Sequence, residues 1–213
     1  WERMIERMGF WIDLENAYVT YTDDYIETVW WELKTMFDRG LLYQGHKTLP
    51  YCPRCGTGLS SHEVAQGYRS VEDPSVSIRM PVDSDQDSSY KREGEGRVSL
   101  LTWTTTPWTL PANVALAVAP DAIYVEVDLG EERLILAESL VDAVIEGEHR
   151  IVREFPGREL VGLRYEPPYR LTDAPAAHRV YPADFVNLED GTGIVHIASA
   201  FGEDDYRLGE QVG

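Results

Sequence analysis

The 213-residue chain carries 37 acidic against 19 basic side chains, and its net charge of −18 argues against nonspecific nucleic-acid binding driven by this chain alone. A hydrophobic fraction of 43% with six tryptophans can fill the core of one large or two small domains, and no apolar run approaches the roughly 20 residues that span a bilayer. Only Cys52 and Cys55 occur, too few for a disulfide-built secreted domain, so a reducing cytoplasm is the expected setting.

The first residues, WERMIERMGFW, are amphipathic and charged, unlike a signal peptide, and a start at Trp1 without methionine reads as a segment of a longer protein. Ile26, Val29, Trp30, Leu33 and Phe37 recur at helical spacing, which predicts a helix between Thr22 and Gly40. Thr22, Asp23 or Asp24 can cap its start, and Gly40 can end it in a left-handed turn. The next stretch, LLYQGHKTLPYCPRCGTGLSSHE, is rich in turn residues. Its CxxC spacing lets the thiolates of Cys52 and Cys55 converge on one tetrahedral zinc, with His46 and His62 nearby but lacking the tight spacing of a zinc-finger pair. A thioredoxin-like redox pair is the rival, without the preceding βαβ pattern it needs; two free thiols in a turn are the plain alternative.

From about Val71 the texture changes to short β-prone runs between turn signals: SVSIRMPV, RVSLLTW, AIYVEVDL, ERLILA, HRIVREF and TGIVHIA. The polar tract Val82 to Arg97 reads as an exposed loop or hairpin tip, and AESLVDAVI as a short helix. Many short strands with little helix point to a mainly β fold with some α (α+β), a barrel or a sandwich. The expected organisation is a helical connector with the CxxC knuckle over 1–70 and the β domain over 71–213.

Two motifs invite chemistry. In LLTWTTTPWTLPAN, Thr104, Thr105 and Thr106 precede Pro107 and Trp108. They can be plain β surface with Trp108 as a core plug, or a Pro-fixed corner whose hydroxyls bond a ribose or an ester oxygen. In GTGIVHIASAFGEDDY, Gly191 and Gly193 permit a tight turn, and Ile194, His196 and Ala198 share one strand face. Glu203, Asp204 and Asp205 then precede YRLGEQV, where acids can simply cap a helix, and His196 can simply be a satisfied core histidine.

Taken together, the blocks GFWIDLENAYVTYTDDYIETVWWELKTMFDRGLLYQGHKTLPYCPRCGTGLSSHEVAQGY, TWTTTPWTLPANVALAV and DGTGIVHIASAFGEDD resemble the isoleucyl-tRNA synthetase family. They run along nearly the whole chain in the family's order. Valyl and leucyl relatives typically read TTRP at the threonine corner, followed by an acid, so Trp108 and the absent Arg disfavour a valyl-type reading. Neither the HIGH-type nor the KMSKS-type ATP-site signature occurs. The resemblance implies the lead-in from the catalytic domain followed by most of the editing domain, connective peptide 1, a β-barrel with peripheral helices. Its family role is to hydrolyse tRNA(Ile) mischarged with valine, because one missing methylene is worth only about 1–3 kcal/mol of discrimination, a figure established on this very family.

Carried over by position, the resemblance implies that Thr104, Thr105, Thr106 and Trp108 line the editing pocket and hold the terminal adenosine and aminoacyl ester. It implies that His196 rejects isoleucine by bulk and that Asp205, rather than Asp204, pairs with the substrate's α-ammonium. Catalytic roles fall to Asp205 and the three threonines; no general base stands out. Expected partners are the valine-bearing 3′ end of tRNA(Ile) and the rest of the synthetase chain, with no membrane. No cofactor is expected for editing, and a structural zinc belongs to the full-length protein, whose second CxxC would lie beyond Gly213. Ser199 stands where the family usually has Pro, which bears on the loop that aims Asp205. A module that only docks the tRNA acceptor end is the rival function, and would not need the threonine, His196 and Asp205 set.

Overall fold

The helical spacing of Ile26 to Phe37 is realised in a computed structural model that describes residues 1–83, 97–172 and 174–213. The chain forms two compact units, Trp1–Lys47 and Thr48–Gly213. The first holds α1 (Glu2–Arg7) and α2 (Asp23–Asp38), neither of which buries a residue. Thr22 is the N-cap residue of α2, but its hydroxyl donates to Val19 O (3.1 Å) instead of capping; Asp23 and Asp24 in the first turn face the helix dipole. Gly40 ends the helix as expected. Its φ is +69°, and bonds from Leu41 N to Met36 O and from Gly40 N to Phe37 O, both 2.9 Å, close a Schellman turn.

The second unit begins with the knuckle. A two-residue pairing of β1 (Tyr51–Cys52) with β2 (Thr57–Gly58) precedes α3 (Ser61–Gln66), which opens on a capping box between Ser60 and Glu63. Then follow β3 (Val76–Pro81), β4 (Arg97–Thr104), β5 (Ala115–Val118), β6 (Ile123–Asp128), β7 (Glu132–Ala137), α4 (Val141–Val144), β8 (Arg150–Pro156), β9 (Arg179–Pro182), β10 (Ile194–Ile197) and α5 (Glu203–Val212). Of the tract expected as an exposed loop, 84–96 lie outside the described residues. The fold is mixed α+β, and no described helix is long and apolar enough to cross a membrane.

The sheet curls into a barrel. β3, β4, β10, β5 and β9 pair in succession, and residues 163–166 bridge β9 back to β3. In that bridge Val180 N donates to Leu163 O (3.0 Å), while Asp83 N donates to Arg164 O (3.0 Å) and Glu166 N to Pro81 O (2.7 Å). β4 is the fork of the sheet. One edge pairs with β3 along residues 99–104; the other pairs with β7 over 97–100 and meets β10 only at Trp103 opposite Val195. β7, β6 and β8 continue as an antiparallel wing.

The two-residue alternation of strands divides the core. On β10, Ile194 and His196 lie on the same face as their β5 partners Val118 and Leu116, and Ile194, Val118 and Leu116 join Met80, Leu100 and Val180 in the main core cluster. On the opposite face Ile197, Ala115 and Ala117 pack with Leu208 of α5. Gly191 and Gly193 form the expected turn before β10, both with positive φ (+79° and +73°). A Cβ on Gly193 would lie 2.4 Å from Ala137 Cβ, and its carbonyl accepts the Tyr124 hydroxyl at 2.6 Å. Gly193→Ala therefore adds left-handed strain to a collision, and should lower stability by about 2–4 kcal/mol. An unshifted urea midpoint would contradict this packing.

Candidate functional site

The sequence places Pro107 so that β4 cannot continue, and the structure ends the strand at Thr104. Residues Pro107–Ala112 then form a 3₁₀ helix with proline at its start, where no backbone N–H is needed. The threonine corner is held by its own hydroxyls: Thr106 N donates to Thr104 Oγ1 (3.0 Å), and the Thr104 and Thr106 hydroxyls lie 3.2 Å apart. The Thr105 hydroxyl has no partner among the described residues. One turn later Thr109, only 8% exposed, points inward and donates to Thr106 O (2.8 Å).

This corner forms one wall of a cleft of about 240 Å³. Trp103, Thr104, Thr105, Thr106 and Thr109 line it together with Val195, His196, Ala198, Phe201 and Asp205. Five of the six residues expected to form a site are therefore brought together from positions about ninety residues apart. Trp108 is not among the lining residues. It is 72% exposed, neither a core plug nor a cleft wall, because the 3₁₀ turn that aims Thr109 inward aims its neighbour outward. Asp204 is exposed and sits 3.7 Å from Arg207 on the helix surface.

His196 is buried, and both of its ring nitrogens are engaged. Its Nδ1 lies 2.8 Å from Asn113 Nδ2, and its Nε2 lies 3.0 Å from Thr109 Oγ1. The tautomer follows from the partners. Asn113 Nδ2 also faces the Ala115 carbonyl (3.0 Å), which can only accept, so this atom is the amide NH2 and donates to Nδ1. Asn113 Oδ1 accepts the Tyr165 hydroxyl at 2.5 Å. Nε2 then carries the proton and donates to Thr109, whose own hydrogen goes to Thr106 O. Burial is the main cause that holds the His196 pKa below the ordinary histidine value, partly offset by the Asp205 charge. Burial also pushes the Tyr165 hydroxyl pKa up, so it stays a donor.

Asp205 enters from the first turn of α5. Its Oδ1 accepts Ala198 N at 2.7 Å, tying the helix to the end of β10. The cleft lining thus offers hydroxyls, a neutral imidazole and a carboxylate. That set can orient a polar ester, bound an apolar side chain and accept from a cation. A larger cavity of about 450 Å³ between α5 and Thr172, Ala174, Ala176 and Ala177 is lined mostly by small apolar side chains and holds no histidine.

Thr109, Asn113 and Tyr165 were not singled out from the sequence. The first two had a usable signal, as polar residues inside the apolar stretch WTLPANVALAV; Tyr165 had none, because only barrel closure brings it to Asn113. At the knuckle, Cys55 N donates to Cys52 Sγ (3.4 Å), and hydrogen bonds from Cys55 lower the Cys52 thiol pKa. No set of three or more His, Cys, Asp or Glu side chains gathers for a metal among the described residues. His62 instead meets Gln66 at 2.8 Å. The two thiols would supply half of a tetrahedral zinc site.

A family model described as tRNA synthetases class I (I, L, M and V) matches residues 1–196. The chain is 53% identical to the isoleucine–tRNA ligase of Clostridium tetani over 208 residues, which covers 96% of this chain and 19% of that protein. It is 52% identical to the isoleucine–tRNA ligase of Thermus thermophilus over 205 residues, with the same coverage, 96% and 19%. The chain thus spans about a fifth of the length of these curated relatives. A crystal structure of GlLeuRS-CP1 matches with a TM-score of 0.54 at 20% identity, over 65% of this chain and 60% of that one. The P. knowlesi cytosolic leucyl-tRNA synthetase editing domain matches with a TM-score of 0.50 at 18% identity, over 66% and 63%. At such identities the likeness is one of fold, and it agrees with the curled sheet and peripheral helices described above. The chain belongs to the class I tRNA synthetases of the isoleucine, leucine, methionine and valine group.

Proposed function

We propose that this chain is the editing part of an isoleucine–tRNA ligase, and that its cleft hydrolyses the ester of Val-tRNA(Ile) while refusing Ile-tRNA(Ile). The observation that carries the reading is the convergence of Thr104, Thr105, Thr106, His196 and Asp205 on one small cleft. The cleft is of a size for an aminoacyl group, not for a folded nucleic acid, so the partner presents a single-stranded 3′ end. With a net charge of −18, the tRNA phosphates are held by other parts of the ligase, which also perform ATP-dependent aminoacylation. A zinc completed by further cysteines of the longer protein would be structural, and no step of the hydrolysis runs through it.

In the reaction, water adds to the ester carbonyl, the carbon–oxygen bond to the terminal ribose breaks, and the ribose oxygen takes a proton as valine leaves. Threonine hydroxyls and nearby backbone groups orient the ester and the water, so the rate gain comes from positioning. Asp205 Oδ2 takes the substrate ammonium in charge-assisted bonds. His196 is not placed to shuttle protons: Asn113 donates to one nitrogen, and the other donates to Thr109. It acts as a wall, held rigid at both nitrogens, against which the extra methyl of isoleucine collides.

Three outcomes test this. Asp205→Ala should reduce deacylation of Val-tRNA(Ile) by about ten- to a hundredfold, the scale of a hydrogen bond to a charged group; full activity would remove Asp205 from the mechanism. His196→Ala should open the pocket, raising hydrolysis of Ile-tRNA(Ile) to within about tenfold of the valyl ester. Unchanged refusal of isoleucine would count against the wall. The third outcome concerns pH. Because the folded-state pKa of His196 lies below its ordinary value of 6.5, the unfolded chain takes up the proton first as pH falls. Stability from the neutral ring is present above that value and is lost as pH drops towards the folded pKa. Between about pH 7 and pH 5 the unsubstituted chain should lose stability relative to His196→Gln, and parallel urea midpoints would refute it.

A further inference from the structure

We propose that Gly202 is a positioning residue for Asp205: its bare Cα leaves the space in which the Asp205 carboxylate folds back onto the end of β10. The inference deepens the editing reading and rests on it for its activity readout. A Cβ built on Gly202 would lie 2.1 Å from Asp205 Oδ2 and 2.9 Å from its Cγ, far inside contact distance. The backbone itself makes no demand for glycine, since φ −145° and ψ 149° are extended values that any residue adopts.

Gly202 is also the N-cap residue of α5, a position where Ser, Thr, Asp or Asn is preferred because its side chain can bond the free backbone N–H groups. Here the cap carries no side chain, and α5 has no side-chain cap bond at all. The first-turn acids Glu203, Asp204 and Asp205 offset part of that loss through the helix dipole. A stabilising cap is thus absent where a cap side chain would displace the one carboxylate that lines the cleft.

The collision falls on the far end of a flexible side chain, so its cheapest relief is rotation of Asp205 away from Gly202. That rotation breaks the 2.7 Å bond to Ala198 N and moves the carboxylate from its place in the cleft lining, while the rest of the barrel stands. Gly202 therefore acts on the substrate only through Asp205.

The test is a double-variant cycle in an isoleucine–tRNA ligase that carries this chain, assayed with Val-tRNA(Ile) and read beside the hydrogen exchange of the Ala198 amide. Gly202→Ala should reproduce most of the loss seen in Asp205→Ala, about tenfold or more and mainly in KM, because the ammonium contact exists before and during reaction. Gly202→Ala with Asp205→Ala together should be no worse than Asp205→Ala alone. Both single variants should lose protection at the Ala198 amide. Gly202→Ser, normally a better cap, should behave like the alanine variant rather than stabilise the chain.

Full activity of Gly202→Ala, an Ala198 amide that stays protected in it, or losses that multiply in the double variant would each overturn the proposal. If Gly202→Ala folds poorly, the double variant decides. Removing the carboxylate should restore the stability of Asp205→Ala, and continued destabilisation would place the collision elsewhere and overturn the proposal. Should the unsubstituted ligase hydrolyse neither ester, the editing reading falls, while the Ala198 amide still decides the positioning role.

Discussion

A strand has two edges, and β4 must serve three partners. β3 takes one edge, so β7 and β10 share the other, and they cannot lie side by side along its whole length. β7 pairs with 97–100, and β10 pairs with β4 only at Trp103. Where these strands diverge and end, the sheet opens, and Thr104 to Thr106 emerge at that opening with His196 from the neighbouring strand. The cleft is a consequence of this forked pairing. It does not require a separate pocket-forming element.

The second constraint is the cost of placing polar groups inside a barrel filled by Met80, Leu100, Leu116 and Ile194. His196, Asn113, Thr109 and Tyr165 avoid that cost by satisfying one another, with the Ala115 and Thr106 carbonyls as terminal acceptors. A fully bonded chain of this kind leaves little freedom of rotation. The imidazole is consequently a fixed surface, which suits discrimination by shape better than it suits proton transfer.

Much of the fold was legible along the chain. The runs that became β3, β4, β6, β7, β8 and β10 announced themselves by β-branched and aromatic residues, and Gly40, Gly191 and Gly193 by the positive φ that glycine permits. β5 (ALAV) and β9 (RVYP) did not, because each is four residues long and its alanines or proline dilute the strand signal of its valine; they are strands because β10 and the 163–166 bridge lie beside them. Trp108 shows the converse failure. It was expected to line the pocket, yet its direction is set by a 3₁₀ turn that composition does not reveal.

By itself the sequence determined the local events: where α2 stops, where β4 must break at Pro107, and that hydroxyls, an imidazole and a carboxylate were present. These follow from backbone sterics and residue chemistry, which act over a few positions. Only the tertiary structure decided that these groups share one cleft and that His196 is a neutral Nε2–H ring. It also decided that Trp108 faces solvent and that Gly202 yields its space to Asp205. Each of those depends on contacts between residues far apart in the chain, and such contacts exist only once the barrel has closed.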